Sequence, residues 1–367
     1  MSPALAEFDT GSLQDLFASW GCKRVHAGRV LRAFYAADGG PVDWTAAGLP
    51  AGLAARLGAG ATNDVPTVSA RHVAADGTTK LLLRLGDGRT VESVMMPDFR
   101  GERVAGCLST QVGCAMGCDF CATAKAGFER NLTAGEIVAQ FLALRREARA
   151  LGRRLHTIVF MGMGEPLLNL DAMLAAIHRI ASNGMGNLGW RQITVSTVGI
   201  VPGIDALDAT GLNVNLAVSL HAPDDATRAR LLPAGRRYGV AEIMAAMDRF
   251  QARRGRPTII QYCLLRGVND SPGHARALAD VVGGRRIHVN LLTYNPTGMS
   301  LRGVAYEPTP DETADAFHRE LRTRGVVTHF RRSRGPDIDA ACGQLRGRLA
   351  RGDTAINTVG GRGIRAR

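Results

Sequence analysis

Hydrophobic residues follow two alternating spacings along most of the chain. Apolar residues three and four positions apart, which mark one face of a helix, recur at 133–150, 170–183, 224–232, 239–254, 272–282 and 311–324. Short apolar runs typical of buried strands occur at 157–161, 193–196, 213–220, 258–265, 287–292 and 325–330. Strands that alternate with helices predict a parallel sheet, so we expect an α/β core from about residue 105 to about residue 330. The spacing fits a doubly wound sheet and a full or partial barrel equally well.

Two smaller regions precede this core. Residues 10–60 carry apolar positions with helical spacing and predict a small helical module. Residues 66–97 contain three β-like runs separated by Asp-Gly turns, which predicts a hairpin or meander. The predicted divisions are an N-terminal helical domain (1–62), a β-meander linker (63–100), the core with a C-terminal cysteine segment (101–345) and a basic tail (346–367).

Composition restricts the class of protein. Apolar residues make up 46% of the 367 residues, which is enough for a substantial core. No run approaches the roughly 18 apolar residues of a membrane span, and the first residues lack the basic and apolar regions of a signal peptide. We therefore expect a cytoplasmic protein without membrane attachment. The odd number of cysteines, seven, does not suggest a framework of structural disulfides.

The net charge of +12 favours a polyanionic partner, with nucleic acid preferred over membrane. Only three of the 45 basic residues are lysines, Lys23, Lys80 and Lys125. A GC-rich genome would explain this choice of arginine, but it would not explain the sign of the net charge. A generally basic protein without a nucleic-acid partner is the alternative.

Three cysteines form the strongest local motif. Cys114, Cys118 and Cys121 have the spacing C-x3-C-x2-C. Three thiolates on a four-iron cluster would leave one iron open to another ligand, and neighbouring glycines would let the loop wrap closely around it. A zinc site with Cys107 as the fourth ligand is one alternative. A redox-active cysteine pair is another, but it would leave Cys114 unexplained.

Further candidate residues lie where predicted strands end. In parallel α/β proteins, ligand-binding groups collect at the carboxyl ends of strands. The residues at these ends are Gly164, Glu165, Ser196, Ser219, Leu220, His221 and Asn295. Taken singly, the glycine fits an ordinary turn and the histidine fits a structural role in the core.

Several segments together resemble a known family. The cysteine motif with an aromatic residue before its last cysteine resembles the radical S-adenosylmethionine (SAM) superfamily. The segments CLSTQVGCAMGCDFCATAKAGFERNL, VFMGMGEPLLN, ITVSTVGI, AVSLHAPDD, LLTYNP and DIDAACGQL occur in the order found in the RlmN/Cfr family of RNA methyltransferases, closest to RlmN. The resemblance runs from about Val91 to Leu345, and more loosely over the N-terminal helices, which are similar to the family's RNA-binding module. It implies a partial (βα)6 TIM-like barrel.

The resemblance also implies cofactors and residue roles. One [4Fe-4S] cluster per chain would be bound by Cys114, Cys118 and Cys121, and the strand-end residues from Gly164 to Asn295 would contact SAM. Cys342 would accept a methyl group, Cys107 would resolve the protein–RNA intermediate and leave a Cys107–Cys342 disulfide, and Glu92 would accept the ring proton. The remaining cysteines, Cys22 and Cys263, match no motif and are interpreted as structural.

The implied reaction is methylation of carbon 2 of an adenosine in 23S rRNA and, in many RlmN members, of an adenosine beside the tRNA anticodon. It would consume two SAM molecules per methylation and an electron donor of the flavodoxin or ferredoxin type, and we expect a monomer. A Cfr-type enzyme acting on carbon 8 is the nearest alternative, and a zinc-containing RNA-binding protein without enzymatic activity is the alternative from another class. Gly235 and the long C-terminal tail depart from the family pattern.

Overall fold

The computed structural model describes residues 4–59, 66–98 and 101–347. Ten of its twelve strands form one sheet, and the other two form a small hairpin. The strands are β1 (Thr67–Val73), β2 (Thr79–Arg84), β3 (Thr90–Pro97), β4 (Arg103–Cys107), β5 (Gln111–Gly113), β6 (Phe128–Asn131), β7 (Arg154–Phe160), β8 (Ile193–Thr197), β9 (Asn215–Ser219), β10 (Thr258–Leu264), β11 (Ile287–Thr293) and β12 (Val327–Arg331).

Eleven α-helices accompany these strands in the described part of the chain. They are α1 (Thr10–Ser19), α2 (His26–Ala36), α3 (Ala51–Gly58), α4 (Ala122–Lys125), α5 (Ala134–Ala150), α6 (Leu170–Ala181), α7 (Val201–Ala209), α8 (Asp225–Leu231), α9 (Val240–Arg254), α10 (Pro272–Val282) and α11 (Asp311–Thr323). None of them is both long enough and apolar enough to cross a membrane.

The large sheet has a parallel part and an antiparallel part. Strand β4 and strands β7 to β12 are parallel neighbours in chain order, with helices between them. Strands β1 to β4 are antiparallel neighbours. The resulting order, β1-β2-β3-β4-β7-β8-β9-β10-β11-β12, leaves β1 and β12 as the two edges of an open sheet. The α/β prediction is confirmed.

The predicted meander extends the sheet of the core. Strand β4 pairs with β3 on one side and with β7 on the other, so the two parts share a strand. Leu81, Leu83 and Val91 of the meander are inaccessible to solvent and belong to the same apolar core as the barrel helices. Burial of such side chains typically contributes about 1.5–3 kcal/mol each.

Two carboxylates, Glu7 and Asp38, fix the N-terminal helices to the core. The carboxylate of Glu7 accepts a hydrogen bond from the Gly135 amide at 2.9 Å, at the start of α5. A negative charge is favourable there because the first amides of a helix have no partner within the helix. Asp38, after α2, pairs with Arg149 at 2.8 Å and also with Arg145 on α5.

Most predicted elements are confirmed, but two helices and three strands were missed: α4, α7, β4, β5 and β6. Helix α7 begins Val201-Pro202-Gly203, and its proline and glycine are unfavourable within a helix but tolerated in its first turn. Strands β4, β5 and β6 have at most five residues, too few for a clear alternating pattern. Of the predicted basic tail (346–367), only residues 346 and 347 are among the described residues.

Candidate active site

A cavity of about 1000 Å³ runs along the inner face of the sheet towards the carboxyl ends of its parallel strands. Six of the seven cysteines line it: Cys107, Cys114, Cys118, Cys121, Cys263 and Cys342. Only Cys22, in the N-terminal helical region, lies elsewhere. These residues come from parts of the chain more than 200 positions apart, and the fold brings them to one space.

The cysteine motif is held between the two strands of the β5–β6 hairpin. The Cys114 amide donates to the Gly127 carbonyl at 2.8 Å. Gly113, Gly117 and Gly127 all have positive φ angles, from 64° to 79°, which favour glycine. A Cβ atom on Gly113 would lie 1.8 Å from the Gly127 carbonyl oxygen. The glycines therefore make this tight loop possible, as the sequence predicts.

Burial keeps the thiols of Cys114 and Cys118 protonated when no metal is bound. It raises the pKa of Cys114 to about 12 and raises the pKa of Cys118 well above its usual value. Neighbouring thiols act in the same direction, because Cys121 adds like charge to both. A bound metal would reverse this balance, since coordination deprotonates thiols outright.

Arg228 is a buried cation beside this motif that the sequence analysis missed. It has no solvent-accessible surface, and its guanidinium donates to the carbonyls of Ser219 at 3.0 Å and Leu220 at 2.6 Å, and also to that of Val198. Its positive charge acts to lower the pKa of Cys118. Burial lowers the pKa of Arg228 itself to about 10, so it stays charged at neutral pH.

The turn after β7 places Glu165 in the cavity wall. Gly162 and Gly164 precede it, and a Cβ on Gly164 would meet Gln111 atoms at 2.6–2.8 Å. Close packing against residues 108–111 requires both glycines. The Glu165 carboxylate accepts from the Val198 amide at 2.9 Å and the Leu167 amide at 3.1 Å. Burial nevertheless raises its pKa to about 7.

The other strand-end residues divide into two groups. Ser196, Ser219, His221 and Asn295 line the cavity together with Gly164 and Glu165. Leu220 is not among the lining residues; its side chain is buried in the apolar core. The contact between Leu220 and SAM that the resemblance implies stays a prediction.

His221 is a neutral hydrogen-bonding group in this wall. It adopts a left-handed backbone conformation with φ of 58°, which histidine tolerates better than most residues. Its Nδ1 accepts from the Cys263 amide at 3.0 Å, so Nε2 carries the proton. The ring lies edge-on to Phe120 of the cysteine motif, with 5.1 Å between centroids. Burial lowers the pKa of His221 to about 3.

Cys107 and Cys342 face the same cavity from opposite ends of the chain. Cys107 is the last residue of β4 and is almost fully buried. Cys342 lies on an irregular segment and exposes surface to the cavity. Burial raises the pKa of both thiols, and the charge of Cys342 further raises that of Cys107. Both thiols line the same cavity, and Cys342 is the more accessible of the two.

Glu92 does not line the cavity. It lies on β3 with 2% of its surface exposed, and its carboxylate pairs with Lys80 at 3.0 Å. The other carboxylate oxygen accepts from the amides of Arg346 at 2.6 Å and Gly347 at 3.0 Å. In this conformation the carboxylate binds the segment that follows Cys342.

Two basic residues near the motif are occupied by contacts within the protein. Lys125 donates to the Thr297 hydroxyl at 2.7 Å and to nearby carbonyls. Arg130 pairs with Glu136 at 2.8 Å and with Asp87 at 2.7 Å. Both therefore stabilise the loops around the motif rather than projecting free into solvent.

Comparison with known proteins identifies the family. The model of the radical SAM superfamily matches residues 108–279. A dual-specificity RNA methyltransferase RlmN from Opitutus terrae is 68% identical over 98% of this chain and 100% of its own length. One from Symbiobacterium thermophilum is 43% identical over 92% of this chain and 90% of its own length. The chain belongs to the RlmN/Cfr family of radical SAM RNA methyltransferases.

A solved structure supports the same assignment. A radical SAM methyltransferase from Sphaerobacter thermophilus is 41% identical and matches with a TM-score of 0.88 over 95% of this chain and 100% of that one. The likeness confirms the radical SAM fold, and the open, parallel sheet agrees with the predicted partial barrel.

Radical SAM membership implies a [4Fe-4S] cluster and SAM, and the cavity fits both. The three motif thiols, Cys114, Cys118 and Cys121, are among the groups that line it, and Glu165 supplies a carboxylate. The volume of the cavity lies within the range of natural cofactor sites. Among the described residues, no three His, Cys, Asp or Glu side chains converge where they could hold a single metal ion.

Proposed function

We propose that this chain methylates carbon 2 of an adenosine in 23S rRNA and also acts on an adenosine beside the anticodon of tRNA. Two observations support the proposal. The relatives that match over most of the chain are named as dual-specificity RNA methyltransferases, and the motifs resemble RlmN over most of the core. The proposed setting is the cytoplasm, where an electron donor of the flavodoxin or ferredoxin type would reduce a monomeric enzyme.

The observation that carries the proposal is the shared cavity of two groups of cysteines. Cys114, Cys118 and Cys121 line it with Cys107 and Cys342. A single cluster site would need only the first group. Two further thiols beside it fit a reaction in which one sulfur carries a carbon and a second sulfur releases the product.

The cluster site would be formed by Cys114, Cys118 and Cys121. A [4Fe-4S] cluster bound there supplies the electron for reductive cleavage of SAM, which starts radical chemistry. Glu165, whose pKa of about 7 leaves it half ionised without a ligand, would pair with the ammonium group of SAM. The Nε2–H group of His221, in the turn after β9, would donate a further hydrogen bond.

The two remaining thiols would carry and then release the transferred carbon. The Cys342 thiol must first lose its proton, because only the thiolate is an effective nucleophile. It then accepts a methyl group from one SAM molecule, and a second SAM molecule is consumed in activating that methyl group. After the carbon has bonded to the adenine, the adduct would lose the ring proton to a base, for which Glu92 is the candidate, and return one electron to the donor. The Cys107 thiolate then attacks the Cys342 sulfur. The bond between that sulfur and the carbon breaks, its electron pair stays with the carbon, and this carbon takes up a proton to become the methyl group. The resulting Cys107–Cys342 disulfide requires re-reduction by two electrons.

Basic side chains in the cavity lining would suit a nucleic acid. Arg103, Arg331 and Arg332 are exposed residues of this lining. Arginine side chains bind phosphate through paired hydrogen bonds. An adenine ring can reach the buried thiols only if it is unstacked, so the target base must be in a loop or flipped out.

Anaerobic reconstitution tests the proposal. The purified chain is supplied with iron, sulfide, a reductant, SAM and a 23S rRNA fragment, and the product is mapped by mass spectrometry. We expect methylation at carbon 2, loss of product in Cys342→Ala with cluster content unchanged, and normal product in the matched control Cys22→Ala. A methyl group on carbon 8 would favour Cfr-type specificity. Stoichiometric zinc in a colourless protein, or methylation by Cys342→Ala, would refute the proposal.

A further inference from the structure

The segment that carries Cys342 is held mainly by contacts with other parts of the chain. We define the cysteine loop as residues 335–347. Its only regular element is one 3-10 turn (Pro336–Ile338), so few of its backbone groups bond to each other. Without external contacts, ordering each residue would cost about 1–2 kcal/mol of conformational entropy. The position of Cys342 therefore depends on the surfaces that bind this loop.

One of these surfaces is the cysteine motif itself. The Ala122 amide donates to the Gly343 carbonyl at 2.7 Å. The Thr123 hydroxyl donates to the Leu345 carbonyl, also at 2.7 Å. Both donors directly follow Cys121. These contacts hold the centre of the loop beside the proposed cluster site.

The second surface is the meander, and an ion pair dominates it. Lys80 on β2 and Glu92 on β3 pair at 3.0 Å, and both side chains are at least nine-tenths buried. Lys80 also donates to the Asp339 carbonyl at 3.3 Å, three residues before Cys342. Glu92 accepts from the Arg346 and Gly347 amides, four and five residues after it. The pair thus contacts the loop on both sides of Cys342.

Both charged groups of the ion pair are bonded to the loop. Asp339 has a φ of 53°, in the left-handed region that aspartate tolerates better than most residues. The ammonium group of Lys80 bonds to the carbonyl of this same residue. Both oxygens of the Glu92 carboxylate are also occupied, one by Lys80 and one by the loop amides.

We propose that Lys80 and Glu92 are positioning residues that form a clasp across the Cys342 loop and hold its thiol in the cavity for methylation. The proposal rests on the proposed function of Cys342 as the methyl-accepting residue. It gives Lys80 a role in positioning Cys342. It gives Glu92 the same role, at a stage before any proton is transferred. For Glu92 to accept a proton from the substrate, its carboxylate would have to release the Arg346 and Gly347 amides.

Hydrogen–deuterium exchange tests the clasp without relying on activity. The anaerobically purified, cluster-loaded full chain is compared with Lys80→Met, Lys80→Arg and the matched control Arg71→Met. Arg71 lies on the neighbouring strand β1 and pairs with Glu147 at 2.7 Å, away from the cysteine loop. We expect amides of residues 335–347 to exchange about tenfold faster in Lys80→Met, the change produced by losing one hydrogen bond to a charged group. Lys80→Arg, which keeps the cation, should resemble the wild type.

A second measurement separates positioning from proton acceptance. The rate at which labelled SAM methylates Cys342, without RNA, is followed by mass spectrometry of its peptide. The clasp predicts a rate about tenfold lower in both Lys80→Met and Glu92→Gln, with iron content unchanged. If Glu92 acts only as a proton acceptor from RNA, both variants would methylate Cys342 at the wild-type rate.

The outcomes distinguish the clasp from the proposed function. Exchange in Lys80→Met equal to that of the wild type, or an equal increase in Arg71→Met, would overturn the clasp. If Lys80→Met does not fold, Glu92→Gln gives the same comparison. Faster exchange in the variants combined with a wild-type protein that methylates no RNA would leave the clasp standing and refute the proposed function.

Discussion

Replacing Glu165 by glutamine should change how the stability of the protein depends on pH. Glu165 has 2% of its surface exposed, and burial raises its pKa from 4.5 to about 7 in the folded chain. The folded state therefore binds this proton more tightly than the unfolded state does. The associated stability is fully present below pH 4.5 and is lost as the pH rises through 7.

The size of the effect follows from the two pKa values. One pKa unit corresponds to about 1.4 kcal/mol, so the difference between 4.5 and about 7 corresponds to roughly 3 kcal/mol. Other groups titrate in the same range; burial lowers the pKa of His221 to about 3, which makes stability rise with pH. Both the wild type and Glu165→Gln contain His221. Subtracting their free energies of unfolding therefore removes the contribution of His221 and leaves that of Glu165.

Anaerobic denaturant unfolding of the cluster-free chain at pH 5 and pH 8 measures this difference. We expect Glu165→Gln to gain about 2.5 kcal/mol relative to wild type between the two pH values, because at pH 5 the unfolded chain already holds much of this group ionised. The matched control Glu242→Gln, at an exposed position at the start of α9, should show no such gain. The difference in free energy of unfolding between wild type and Glu165→Gln should therefore change between pH 5 and pH 8. A change of less than about 0.5 kcal/mol would refute the assigned burial cost.

Three further substitutions test the framework of the site. Arg228→Met leaves three buried carbonyls without their donor and should lower the free energy of unfolding by roughly 3 kcal/mol; an unchanged denaturation midpoint would contradict this. Gly164→Ala forces a Cβ against Gln111 at a φ of 101° and should cost about 1–3 kcal/mol, whereas alanine at the open position Gly58 should cost nothing. His221→Ala removes the acceptor of the Cys263 amide and should cost about 1–3 kcal/mol by the same measurement; retention of wild-type stability would show that this bond is not needed.

The fold class and the cluster motif could be predicted because their information is local. A helix or buried strand shows its period within one segment, and the three motif cysteines lie within eight positions. Strand ends were also predictable, since parallel strands bring their carboxyl ends to one edge. Helix α7 escaped prediction because Pro202 and Gly203 obscure its start.

The remaining features depend on distant pairings that no local pattern records. Arg228 is one arginine among many, and only the meeting of the turns after β8 and β9 reveals it as a buried donor. Lys80 and Glu92 form an ion pair because β2 and β3 lie side by side. Their contact with the cysteine loop spans more than 250 residues, which sequence spacing cannot predict.

The cysteine loop has a consequence for synthesis of the protein. Its partners on the meander, from Ala75 to Glu92, are translated some 250 residues before the loop itself. A nascent chain that has just completed β11 already contains the three motif cysteines and most of the barrel, but not Cys342. The Cys342 thiol thus joins the site later in translation than the three motif cysteines. A chain interrupted before this point would retain the motif cysteines but would lack the residue that we propose as the methyl acceptor.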